Sequence, residues 1–240
     1  MNDYELLVYD EVQDWKRKII KRSGMLSRVS KKAQGKMSEL IPEKVHEVMT
    51  DSIKAMVKAT LLGSQMTTNS HQARGLSLQE KDGLLRKKVE TYRKTAIVEG
   101  AGTGAGGILL GLADFPLLLT IKMKFLFEAA AIYGFDTKEY EERLFILHVF
   151  QLAFSSDEIR KQTLSEIENW EDRKKVLGEM DWRRFQQEYR DFIDLAKLLQ
   201  LVPGIGAFVG AYANNNLLKH LGETAMNAYR LRLITKVPEV

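Results

Sequence analysis

Cysteine is absent from this 240-residue chain. That removes disulfide staples, thiolate metal ligands and any thiol nucleophile, and nothing in the chain asks for an oxidising compartment. Proline occurs four times, at Pro42, Pro116, Pro203 and Pro238, so long stretches lack the residue that breaks helices. Catalytic signatures are missing as well. There is no GxSxG elbow, Walker A sequence or HExxH, and His46, His71, His148 and His220 are scattered without paired carboxylates. No set of nucleophile, base and electrophile can be assembled, so the expectation is a non-enzymatic chain with no metal and no cofactor. The opening MNDYELLVYDEVQDW has neither the basic nor the apolar region of a secretory signal, which sets the expectation of a cytoplasmic protein.

What is present reads as an all-α single domain, because apolar residues recur at helical rather than alternating spacing almost throughout. Glu43 to Leu62 follows Pro42, puts Val45, Val48, Met49, Ile53, Met56 and Val57 near one face, and meets a stop at Gly63. Ser77 and Glu80 match a capping box that opens a helix through LLRKKVETYRKTAIVE. Asp136 and Glu139 repeat the signature ahead of YEERLFILHVFQLAF, whose second half is apolar nearly all round and so predicts burial. Trp182, Phe185, Tyr189, Phe192 and Leu199 follow a three-four spacing that fits a core seam better than a ligand cage. A last helix runs through TAMNAYRLRLI.

Two runs carry almost no charge. Gly100 to Ile121 holds only Asp114, and Leu198 to Leu218 holds none. The first is long enough to cross a bilayer, but its glycines, Pro116, and Lys122 and Lys124 directly after it argue against a simple span. Gly102, Gly104 and Gly107 spell GxGxxG, yet a charged helix precedes them and no βαβ alternation surrounds them, so a dinucleotide fold is rejected. Gly102 with Gly106, Gly107 with Gly111, and Gly206 with Gly210 instead share the four-residue spacing that lets helix backbones approach. These runs fit either tightly packed hairpins or hairpins that insert into a membrane. Asp114 reads as an N-cap just ahead of Pro116.

Net charge is only +4, but it is unevenly placed. Residues 1–14 hold five acids and no base, whereas nine bases and no acid lie between Trp15 and Ser38. Trp15, Lys16, Arg17, Lys18, Lys21 and Arg22 make a cationic and apolar segment that suits a solvated face or an anionic membrane surface. No RNA-binding aromatic motif or zinc-finger spacing supports nucleic acid.

GLADFPLLLTIKMKFLFEAAAIYGFD, ERLFILHVF, VPGIGAFVGAYANNN and AYRLRL, in that order, resemble the EcsC protein family over roughly residues 96 to 234. Asp114, Pro116, Tyr133, Gly134, Asp136, Arg143, Pro203, Gly206, Gly210 and Asn214 would occupy its recurring motif positions. The resemblance implies an α-helical bacterial protein, linked by genetic context to an ABC transporter, and it implies no reaction. The division that follows is an acidic then basic segment at 1–40 and an EcsC-like helical domain at 41–240. The leading expectation is a non-enzymatic protein peripheral to the inner face of the cell membrane, contacting lipid or a membrane partner through the basic segment and the glycine-rich apolar helices. A soluble adaptor for a transporter or secretion system is the alternative, and a hydrolase with an unrecognised site is third.

Overall fold

The computed structural model describes residues 2–37, 43–62, 73–103, 115–154, 157–177 and 211–234, and every regular element among them is a helix. They are α1 (Asp3–Met37), α2 (Glu43–Leu62), α3 (Leu78–Thr103), α4 (Phe115–Tyr133), α5 (Tyr140–Phe154), α6 (Asp157–Glu168), α7 (Trp170–Leu177) and α8 (Ala211–Leu233). None of the described helices is long and apolar enough to cross a membrane. The all-α expectation holds.

Local chemistry accounts for the helix ends. At the start of α3 the capping box forms as its spacing predicts: Glu80 N donates to Ser77 Oγ at 3.3 Å, and Ser77 N donates to Glu80 Oε2 at 2.8 Å. Helix α4 ends in a Schellman turn on Gly134, whose φ of +93° suits glycine, with Gly134 N bonded to Ala131 O and Phe135 N to Ala130 O. The second capping pattern behaves differently. Asp136 Oδ1 accepts from Lys138 N at 2.9 Å, forming a local turn instead of a cap, so α5 begins only at Tyr140. Of the uncharged run from Gly100, the described residues cover the two ends, the close of α3 at Thr103 and the start of α4 at Phe115, and 104–114 lie outside them.

Helix α5 is the central rod, with Leu144 through Phe150 all buried. It packs against α2, α4, α6, α7 and α8, while α3 lies against α4 and α8, and α1 crosses α6 and α8. Ile53, Met56 and Val57 of α2 join the core as expected. Val8, Val12, Trp15 and Ile19 are buried along α1, three or four residues apart, as one helix face requires.

The tightest approach joins α3 to α8. A Cβ added at Gly222 would lie 2.5 Å from Val89 Cγ2, so glycine is needed for this separation. Elsewhere in the pair, Asp82 faces Arg230, and the helices therefore run antiparallel. We expect Gly222→Ala to destabilise the fold by about 1–3 kcal/mol, since a branched valine cannot swing away freely. Denaturant melts would check this, with Gly222→Ala/Val89→Ala recovering part of the loss; an unchanged midpoint for the single variant would contradict the close contact.

Candidate functional site

Polar side chains inside the bundle gather where α3 begins and α4 and α8 end. Asp82, fully buried, accepts from Arg230 Nε at 3.0 Å and Nη2 at 2.8 Å, from Tyr4 Oη at 2.7 Å, and from Tyr133 Oη on its other oxygen. Arg230 Nη1 turns to Glu11 Oε2 at 2.8 Å and Asn227 Oδ1 at 3.4 Å. Burial alone would lower the guanidinium pKa, but the hydrogen bonds and charge of Asp82 outweigh it and hold Arg230 above its ordinary value. Burial and the same carboxylate push the Tyr133 hydroxyl well up, so it remains a proton donor.

A second network lies two residues along α8. Glu142 accepts from Arg232 Nη1 at 2.5 Å and Nη2 at 2.8 Å, while Arg232 Nε reaches Glu171 Oε1 at 2.8 Å and Lys174 Nζ reaches Glu142 at 3.0 Å. The Arg232 guanidinium carbon sits 3.7 Å from the Phe135 ring centre and 4.5 Å from that of Phe145. Tyr229 fills the space between the networks, stacked 5.3 Å from Tyr133 and 5.4 Å from Phe135. Further along α5, against Trp170, burial with Arg173 close by pulls the His148 imidazole down to about 3, leaving it neutral 3.3 Å from Glu166. Lys122 on α4 is buried too, and burial pulls it down to about 8.

These groups fasten helices to one another. Each carboxylate of the two networks is held by a guanidinium, an arrangement that fixes geometry. Among the described residues, no three or more His, Asp or Glu gather as a metal site.

Of the family-motif positions, Tyr133 and Gly134 belong to the first network and the turn beside it, and Lys81 Nζ donates to Tyr133 O at 3.2 Å. Arg143 donates from Nε to Leu61 O at 3.0 Å and from Nη1 to Thr137 O at 3.3 Å, binding the end of α2 to the turn before α5. Pro116 lies exposed in the first turn of α4. Asp114, Pro203, Gly106, Gly107, Gly111, Gly206 and Gly210 lie outside the described residues, as does the aromatic stripe from Trp182. Gly102 is within α3, and Asn214 lies in α8 with its side chain outside the described set.

The structure divides the cationic segment. Trp15 is a core residue, 6% exposed, because it shares the inward face of Val8, Val12 and Ile19. Lys16 pairs with Glu168 on α6, and Arg17 with Asp14. Arg17 and Lys18 are exposed, while Lys21 and Arg22 continue α1 with side chains outside the described residues. Asp82, Glu142, Arg230, Arg232 and Gly222 escape the sequence reading. The available signal is a charge at a core position: Asp82 precedes Leu85 and Val89 at helical spacing, and both arginines lie within the apolar AYRLRL.

Removing one member of the first pair should cost more than removing both. We expect Asp82→Leu or Arg230→Met alone to destabilise by about 3–5 kcal/mol and the double variant by less than their sum; additive losses in urea melts would deny the coupling. His148 adds a pH dependence. Its folded value lies below the ordinary 6.5, so its stabilising contribution is complete above pH 6.5 and is lost as pH falls toward 3. Between pH 6.5 and 4, stability should fall less steeply in His148→Gln than in the parent; equal slopes would show that this imidazole is not buried neutral.

The EcsC protein family model matches residues 7–234. Protein EcsC of Bacillus subtilis (strain 168) is 53% identical over 234 residues, covering 98% of each chain. Uncharacterized protein YdbA of the same strain is 40% identical over 144 residues, covering 58% of this chain and 53% of its own. No solved structure matches.

Proposed function

The chain belongs to the EcsC protein family, and from that premise we propose that it is a non-enzymatic protein attached peripherally to the inner face of the cell membrane. The observation that carries this reading is α1, one unbroken helix of 35 residues and so about 52 Å long at 1.5 Å per residue. Its first half is docked by Val8, Val12, Trp15 and Ile19 and by the pairs of Glu11 and Lys16. Beyond Asp14 the same helix carries nine basic residues and no acid. A cationic helix docked on the bundle through its first half suits an anionic leaflet, where each base near the surface contributes about 1 kcal/mol.

A second reading, a helical adaptor for a protein partner such as an ABC-transporter component, is favoured by one observation: Trp15 and Ile19 are taken up by the core, which leaves this part of α1 less apolar surface for lipid.

Vesicle flotation separates the two. Replacing Arg17, Lys18, Lys21 and Arg22 with glutamine removes four charges, about 4 kcal/mol of surface attraction, while sparing the Lys16 pair. Recovery with anionic vesicles should drop at least tenfold at low salt, and raising the salt should weaken the parent similarly. A parent protein that never floats would sink the membrane reading and leave the adaptor.

A further inference from the structure

We propose that the first half of α1, Asp3 to Ile19, is a detachable strap that leaves the bundle as one unit while the helices beneath it stay closed. The inference is independent of the membrane reading. It follows from which contacts of the buried ion pair belong to α1 and which do not. Asp82 takes Arg230 Nε and Nη2 on one oxygen and Tyr133 on the other, so α3, α4 and α8 hold the carboxylate by themselves. Helix α1 adds outer contacts. Tyr4 shares the oxygen that Arg230 already occupies, and Glu11, whose side chain is 47% exposed, meets Arg230 through Nη1, the nitrogen that Asp82 does not use. Lys16 and Glu168 pair through partly exposed side chains. When α1 lifts, Tyr4, Glu11 and Lys16 return to water and the Asp82–Arg230 pair remains whole, whereas parting α3 from α8 splits that pair, which is the costly case.

Burial points the same way. Twelve of the fifteen residues of α5 are buried, but between Asp3 and Ile20 only Val8, Val12, Trp15 and Ile19 are, so α1 rides on α6 and α8 by one narrow face. An element with few buried side chains and solvent-exposed ties opens at a lower free energy than the core. From Val8 to Ile19 the apolar line covers about 17 Å of helix at 1.5 Å per residue, and its departure bares a seat of that length. Arg230 lies at the edge of this seat. Its side chain is 3% exposed with α1 in place, and release opens Nη1 to solvent, so the strap governs access to a cation that the closed fold conceals.

Because the chain has no native cysteine, single thiols can report the opening. Val8→Cys and Val12→Cys each place one under the strap, and Val149→Cys places one in α5; all three valines are buried. The reagent, dithionitrobenzoate, is used on the folded full-length chain at a concentration low enough that each opening recloses many times before it reacts. The thiols at positions 8 and 12 should then label at one rate, at least tenfold faster than the thiol at position 149 and with a weaker dependence on urea. Adding Gly222→Ala, which loosens α3 from α8, should speed labelling at position 149 several-fold and leave positions 8 and 12 unchanged, because the contact of Gly222 with Val89 persists when only the strap is open. Equal rates at positions 12 and 149, or acceleration of both by Gly222→Ala, overturns the strap, since α1 then leaves only as the whole fold does. Labelling at position 8 with protection at position 12 overturns it too, reducing the motion to fraying of the first turns.

Discussion

The pair of Asp82 and Arg230 sets the terms for the rest of the bundle. A carboxylate and a guanidinium withdrawn from water are tolerable only if nearly every hydrogen-bonding site on each is filled. Asp82 lies in α3, Arg230 in α8, Tyr133 in α4, and Tyr4 and Glu11 in α1. Filling those sites therefore fixes four helices at once. Glu142 and Arg232 extend the constraint to α5 and, through Glu171 and Lys174, to α7. Apolar burial supplies the drive toward compactness but is indifferent to small rotations and slides of a helix. The ion pairs are not indifferent, because a slide of one residue would strand a charge.

Gly222 is the steric counterpart of that electrostatic constraint. With Val89 against its backbone, α3 and α8 come close enough for Arg230 to address Asp82 with two of its nitrogens. Tyr229 then stacks between Tyr133 and Phe135, and the Schellman turn at Gly134 places Phe135 under Arg232.

Helix content, the bounds of α2 and the Ser77 cap were legible because each follows from spacing within a few residues. The burial of α5 was legible for the same reason, since Leu144 to Phe150 contains only His148 as a polar interruption. Partners separated by long stretches of chain were not. Nothing local links Glu142 to Arg232, and the four-residue glycine spacing drew attention to Gly206 and Gly210 and away from Gly222, which has no such companion. Trp15 shows a related limit: beside five bases it reads as part of a cationic surface, and only the inward line of Val8, Val12 and Ile19 explains its burial.

The sequence distance between Asp82 and Arg230 has a bearing on how the protein is made. They lie 148 residues apart, and at about 5–20 residues per second the ribosome takes roughly 7–30 s to travel from one to the other. Throughout that interval α3 carries a carboxylate whose buried position has no cation, so the nascent helices lack their native docking arrangement. Pairing of α3 with α8 through Asp82 and Arg230 is thus deferred to the last stage of translation. A chain cut short before Arg230 leaves the Asp82 carboxylate without its guanidinium, the one-partner loss that costs about 3–5 kcal/mol.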